Sequence, residues 1–539
     1  MKTNYLWIGL FIALFMNYGC RQTDDGIPVP EETYLTESQM ERMIKLGEKL
    51  ENPYSVTNMK RAWANLTNSD AAARNFADDL DITTTHYYVK FDPKTEAELG
   101  ILKLDSTLIL FDYPLDVERE EGGLFYHDPS LPTTRPTYQY ALVKVDYQFP
   151  DGVDYEILEE LFIPDENYDG VENTFVRSTS SAVISTLVTE ALRITNNLDR
   201  VGNVREMAVC NNGTFRPGGR MTVYDPTLSA SVPVHDLEVR ATRWFTTYVD
   251  KTNSLGYYSV NGTFERPCDY SLKWEKYNFS IRAGGAGVAQ DYNNNECKDW
   301  NRNFGNNYLN STIIKGEHQY HAIIFRAARQ YYYGDNAGLR RPPENGEFKV
   351  QLKIDALYQS KGNICDGIGC FESGGRIKLL DPPTLAIANF LQSSSDAYST
   401  TIHELAHASH WDMSRWHFEN NMQSIVIESW ATGVEKTLTL MIYTDYTRTP
   451  GRGKYTGVVA DLMDGSGLEK RSNGYYQGGE FIFSNLDYVD NVGGYSLREI
   501  EDALKEKRTW SEWQQSIINK YDNPTKNEIP ALFDHWNTN

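Results

Sequence analysis

One run of this sequence concentrates residues able to do chemistry: 396–413, reading DAYSTTIHELAHASHWDM. It contains neither Gly nor Pro, and Asp396 with the serines before it can cap the start of a helix. In a helix His403 and His407 stand at i and i+4, so both imidazoles leave from one side and can grip one metal ion. Glu404 is turned from His403 by about a quarter of a revolution. It can therefore reach a metal-bound water without being a ligand, which is the position of a general base. Four of the ten histidines lie between 403 and 417, which argues for a shared task.

Two histidines leave a tetrahedral site incomplete. Glu428, Glu435, His410 and His417 are the candidates to complete it. Residues 421–443 carry helical apolar spacing through Ile425, Trp430, Val434, Leu438 and Met441, which puts Glu428 and Glu435 on one face two turns apart. Two turns are about 10 Å, so one ion cannot take both. The neighbours of Glu428 on that face, Ser424, Ala431 and Thr432, are small and allow the two helices to approach closely. Glu428 is accordingly the expected third ligand. His410 shares the histidine helix, and three ligands from one straight helix fit a tetrahedral ion poorly. His417, placed past the expected helix end, is the main rival.

His403-Glu404-Leu405-Ala406-His407 followed by Glu428-Ser429-Trp430-Ala431 resembles the gluzincin branch of the zincin metallopeptidases, over residues 396 to about 440. The metzincin pattern is absent, because Met413 stands where that branch has its third His. The resemblance implies a zinc ion (Zn2+) on His403, His407 and Glu428. Glu404 would take the proton of the attacking water and hand it to the leaving amine. It also implies a Tyr or His that stabilises the oxyanion. Tyr475 and Tyr476, in the Gly-flanked run 473–478, follow Glu428 as that role requires, and Tyr476 is the expected residue.

The elements that must position these groups are expected to be mainly helical. Glu317–Tyr333 suits a long helix with an apolar stripe of Tyr320, Ile323, Ile324, Ala327, Ala328 and Tyr331. His318 and His321 lie on it at i,i+3, a spacing that can bind metal but here has no Glu between the two histidines. Residues 348–358 and 376–380 read as strands before Pro382-Pro383.

Upstream the pattern changes. Thr36 and Gln39 form a capping pattern for a helical segment that continues through Met40, Met43, Ile44 and Leu50. Residues 86–91 and 107–111 are β-prone runs. In 216–285, Leu237-Glu238-Val239-Arg240-Ala241, a turn at 252–256 and Tyr257-Tyr258-Ser259-Val260 resemble the regulatory β-sandwich appended to many carboxypeptidases. The first twenty residues, with Lys2, an apolar stretch over 5–16 and Gly19-Cys20, resemble a bacterial lipoprotein signal peptide. That resemblance implies lipidation of Cys20 and an acidic, Pro-containing tether over 21–35. Export opens the remaining cysteines, Cys210, Cys268, Cys297, Cys365 and Cys370, to disulfide pairing, with Cys365 and Cys370 the easiest pair.

A chain of 539 residues exceeds what one core serves, and about two to four domains are expected. A formal net charge of −22 argues against nucleic acid as a partner, since tracking phosphates needs clustered Lys and Arg. The expected fold is α+β and multidomain: a signal peptide (1–20), the tether (21–35), a helical segment with a β-rich domain (36–215), the β-sandwich (216–285) and a mainly helical zincin-like domain (286–539). The expected function is zinc-dependent hydrolysis of extracellular proteins or peptides, glycoproteins included, by a lipoprotein held in the bacterial cell envelope through Cys20. Two alternatives belong to other classes. One is a surface lipoprotein that binds protein or glycan with little catalysis, and the other is a closed structural zinc site recruiting His410 or His417. The intact Glu404 favours the enzyme, because a structural site needs no base.

Overall fold

Thr36 and Gln39 form the reciprocal capping box that their spacing predicts, and the helix they start runs over Glu37–Arg42. It stops there because the chain is captured elsewhere: Met43 bridges to Phe125, and the Ile44 N–H donates to the Phe125 carbonyl at 2.7 Å. The next residues, Leu46–Lys49, form a strand despite their helical spacing, a case of tertiary pairing overriding local preference. In this computed structural model the described residues are 33–69, 80–120, 122–164, 181–197, 210, 213–284, 287–344, 351–358, 369–372, 384–389, 392–419, 421–464, 475–477, 480–482 and 490–537. Residues 1–32, with Cys20 and the expected signal peptide, lie outside them, as do 376–380 and Cys365.

His86–Asp92 is the central strand of a three-stranded antiparallel sheet, flanked by Gln139–Lys144 and Asp154–Leu161. Alternation along these strands feeds two clusters. Tyr88, Tyr140 and Leu142 join Met59 and Leu66 of helix Val56–Ser69 and Leu187 and Val188 of helix Ser181–Ile194. Val89, Phe91, Ala141 and Val143 join Leu102 of helix Glu96–Leu104. Residues 107–111 do not form the expected strand; Phe111 makes a single bridge to Tyr140.

Two four-stranded sheets occupy residues 218–304. One is antiparallel throughout, in the order Gln290–Glu296, Cys268–Lys273, Glu238–Arg243, Thr246–Lys251. The other is built on Gly218–Asp225, which pairs with Tyr257–Ser259, Arg302–Phe304 and Ala230–Pro233. Val223, Val239, Tyr258, Leu272 and Trp274 from both fill one hydrophobic cluster. A disulfide joins Cys210 to Cys297, a pairing that sequence spacing did not single out.

The pairing does not divide at 285. Phe279–Ala283 runs parallel to Leu352–Tyr358 in a third sheet, whereas Gln290–Glu296 and Arg302–Phe304, later in the chain, return to the earlier two. The third sheet continues with Thr384–Asn389, parallel, and ends on Gly369–Glu372, antiparallel. Its parallel strands alternate, and the residues that share one face, Phe279, Ile281, Leu352, Ile354, Ala356, Leu385 and Ile387, are all buried.

Helix Glu317–Tyr333, with the bounds that its apolar stripe predicts, packs on this sheet together with helix Ser394–Glu419. Helices Ser424–Leu440, Val458–Met463, Leu497–Leu504, Trp510–Lys520 and Ile529–Trp536 follow. Gly433 sets how closely two of them meet, since a Cβ there would fall 2.3 Å from the Cβ of Val459. The chain is thus α+β, with a β-rich N-terminal half and a helical C-terminal region. Among the described residues no helix is long and apolar enough to cross a membrane.

Candidate metal centre

The histidine helix, Ser394–Glu419, spans 26 residues. Its start is fixed by side chains: the Ser393 hydroxyl donates to Asp396 Oδ2 at 2.7 Å and accepts from the Asp396 N–H at 3.1 Å. Ser394 adds a hydrogen bond to the fully buried Asp225. Ile402, Leu405 and Ala406 are buried in the main core. His403 and His407, one turn apart, meet helix Ser424–Leu440, which packs closely along the same helix.

There the structure brings together His403, His407 and Glu428. Glu428 Oε2 lies 3.3 Å from His403 Nε2 and 3.4 Å from His407 Nε2, and the two rings stand 4.7 Å apart and nearly perpendicular. All three ligand-type atoms fall within 4.8 Å of one another, and this buried cluster can hold a metal ion. Burial pushes the Glu428 carboxyl upward, but hydrogen bonds from His403 and His407 outweigh it and hold its pKa below the ordinary value. For neutral imidazoles the same convergence presents lone pairs and an anion to a common point, an arrangement suited to a cation.

Glu404 stands beside this triad. It is 5% exposed, and its Oε2 has no hydrogen-bond partner among the described residues. Burial raises its pKa, opposed by the fields of His407 and His403. A buried carboxylate oxygen without a protein donor is costly and marks a place where something else completes the site.

Glu435, weighed in sequence as a rival ligand, holds His403 from behind. Its Oε2 is 2.8 Å from His403 Nδ1, and it also accepts from the Tyr446 hydroxyl and the Arg448 guanidinium. A carboxylate only accepts, so with a cation at the triad Nδ1 would carry the proton, donated to Glu435, and Nε2 would be the ligand lone pair. The separation of two helical turns that bars Glu435 from the ion lets it reach the far nitrogen of the same ring. The spacing from 428 to 435 was the available signal, since an imidazole has two ends to satisfy. His407 has no such support: its Nδ1 is buried without a partner among the described residues.

The segment after Ser424–Leu440 returns over the triad. Lys454 Nζ is 3.4 Å from Glu428 Oε1, and the Tyr455 ring lies 6.0 Å from that of His403. Arg448 and Lys454 both approach the Tyr455 ring, at 5.0 and 4.8 Å from its centroid. Tyr455 is held at φ +58°, a left-handed conformation that a bulky side chain adopts only where its surroundings impose it. The Gly451 N–H donates to its carbonyl at 2.9 Å, and the Gly453 N–H ties the same turn to Trp536. None of Tyr446, Arg448, Lys454 and Tyr455 was marked by sequence.

The other expected residues fall elsewhere. Only the backbone of Tyr476 is placed, opposite Phe481 in a two-stranded hairpin; its side chain lies outside the described residues. His417 sits in the last turn of the histidine helix, not past its end, roughly 15 Å along the axis from His407. His410 is fully buried, and burial followed by the field of His407 lowers its pKa to about 3. His321 is buried in the core, 6.2 Å ring to ring from His318; Asp291 Oδ1 stands 3.7 Å from His318 Nε2, but among the described residues the pair forms no three-ligand cluster.

No family model matches this chain, and no match is found among the curated proteins or the solved structures.

Proposed function

We propose that the chain is a zinc-dependent peptidase of the gluzincin kind, acting outside the cell and anchored to the bacterial envelope through lipidated Cys20. The observation that carries the reading is the convergence of His403 Nε2, His407 Nε2 and Glu428 Oε2, with Glu404 Oε2 beside them, buried and without a hydrogen-bond partner among the described residues. Two imidazoles and one carboxylate form a donor set typical of catalytic zinc. Zinc bound there supplies a Lewis acid for the scissile carbonyl and an acidified water.

The chain's own residues do the rest. Glu404, its pKa raised above the ordinary value by burial, accepts the proton of the attacking water and delivers it to the departing amine nitrogen. Glu435 fixes the tautomer and orientation of His403 and is itself held by Tyr446 and Arg448. Tyr455, whose ring lies 6.0 Å from that of His403, is a second candidate beside Tyr476 for the oxyanion role.

The test joins metal analysis with cleavage of a generic peptide library by the purified chain. One zinc per chain and cleavage that chelation abolishes and zinc restores are expected. Stoichiometric zinc with no cleavage of any peptide would replace the enzyme by a binding protein or a structural site.

A further inference from the structure

We infer that Lys454 and Arg448 form an anion-binding arm beside the metal triad that selects substrates carrying a carboxylate next to the scissile bond. This rests on the peptidase reading and adds the substrate class. The first observation is placement. Glu428 turns Oε2 to the two histidines and Oε1 to Lys454, so the ammonium stands against the outer oxygen of a metal-site carboxylate. Arg448 stands against Glu435 on the other side of His403. One strained tyrosine, Tyr455, lies between and within about 5 Å of both cations.

The second observation is exposure. The acids of the site are closed in, at 17% for the Glu428 side chain and 3% for Glu435, while Lys454 is 49% and Arg448 29% exposed. The surface that an incoming molecule meets is therefore the cationic one. An ammonium has three donors and a guanidinium five, more than Glu428, Glu435 and Tyr455 consume, so N–H groups remain for a ligand.

The third is charge. Glu404, Glu428 and Glu435 against Arg448 and Lys454 leave one negative charge, and a divalent ion turns that into one positive charge. A single carboxylate brings the site to neutrality. A bare peptide does not. The carboxylate can belong to a chain terminus or to an Asp or Glu side chain, and both offer the same chemistry to Lys454.

Two zinc-anchoring probes that differ in one group separate the anion arm from the metal reading: succinic monohydroxamic acid, with a terminal carboxylate, and its terminal amide. Calorimetry on the zinc-loaded chain should find the carboxylate probe tighter by about tenfold, the size expected of a charge-assisted hydrogen bond. That preference should fall below about threefold in Lys454→Met and return in Lys454→Arg. Equal affinity of the two probes for the unmodified chain overturns the anion arm and leaves the metal site standing. If neither probe binds and zinc is absent, the peptidase reading fails and takes this inference with it. Matched peptides locate the carboxylate: loss of cleavage on amidating the C-terminus places it at the chain end, and loss on Glu→Gln exchange places it in a side chain. Cleavage indifferent to both changes overturns the inference.

Discussion

Among the described residues two places gather three ligand-type side chains, and they differ in what the protein has already supplied. One is His403, His407 and Glu428; the other is Asp461, Asp464 and Asp490. In the aspartate cluster the protein provides donors to two of the three acids: Trp536 Nε1 donates to Asp461 at 2.7 Å, and the Val492 N–H to Asp490 at 3.0 Å. In the histidine cluster it provides mostly acceptors, with a base alongside and a second carboxylate fixing the tautomer of one ring. Proximity of oxygens and nitrogens is thus a weak criterion. The decisive question is whether the lone pairs are already spoken for by protein N–H groups.

The largest expected effect lies in the histidine cluster. Glu404→Gln should keep the metal and lose peptide cleavage by about 10²–10⁴-fold, the range of general-base catalysis, whereas His403→Ala should lose both. Metal content and turnover measured on the same preparation check this; a Gln variant with unmodified turnover removes Glu404 from its role. Next in size, Glu435→Gln should weaken zinc affinity by about 10–100-fold without abolishing binding, read by competition with a chromogenic chelator. Affinity equal to that of the unmodified chain would reduce Glu435 to packing.

In the aspartate cluster, Asp490→Asn should leave zinc stoichiometry untouched and cost about 1 kcal/mol of stability by thermal unfolding. A drop in bound metal would make the two clusters alike. The smallest effect concerns pH in the metal-free chain. Burial opposes the Glu428 charge, but the histidine hydrogen bonds hold its folded pKa below the ordinary 4.5. Its stabilisation is therefore present above pH 4.5 and is lost as pH falls toward the folded value. Glu428→Gln should flatten that part of the melting-temperature profile.

Local order made part of this legible in sequence. His403 and His407 share a face because of helical period alone, and the bounds of Glu317–Tyr333 follow from its apolar stripe. Glu428 was accessible by the same period together with the small residues around it. What sequence withheld depends on contacts between distant segments. The partner of His403 Nδ1 lies 32 residues away, and Lys454, Arg448 and Tyr455 reach the triad through a loop whose path no periodicity encodes. Leu46–Lys49 became a strand because Phe125 captured the chain just before it.

The exchange of strands around residue 285 bears on how the molecule can be taken apart. Phe279–Ala283 is the outermost partner of Leu352–Tyr358 in the sheet beneath the histidine helix, yet it precedes residue 286, where the helical region was expected to begin. A truncation starting at 286 would strip that strand away and leave the backbone of Leu352–Tyr358, with buried Leu352, Ile354 and Ala356, as a bare apolar edge. Such an edge recruits other chains, and the fragment should aggregate rather than fold. A fragment starting at 210 keeps the strand, its neighbours and the Cys210–Cys297 disulfide, and is the shorter chain in which the helical region has its full sheet to fold against.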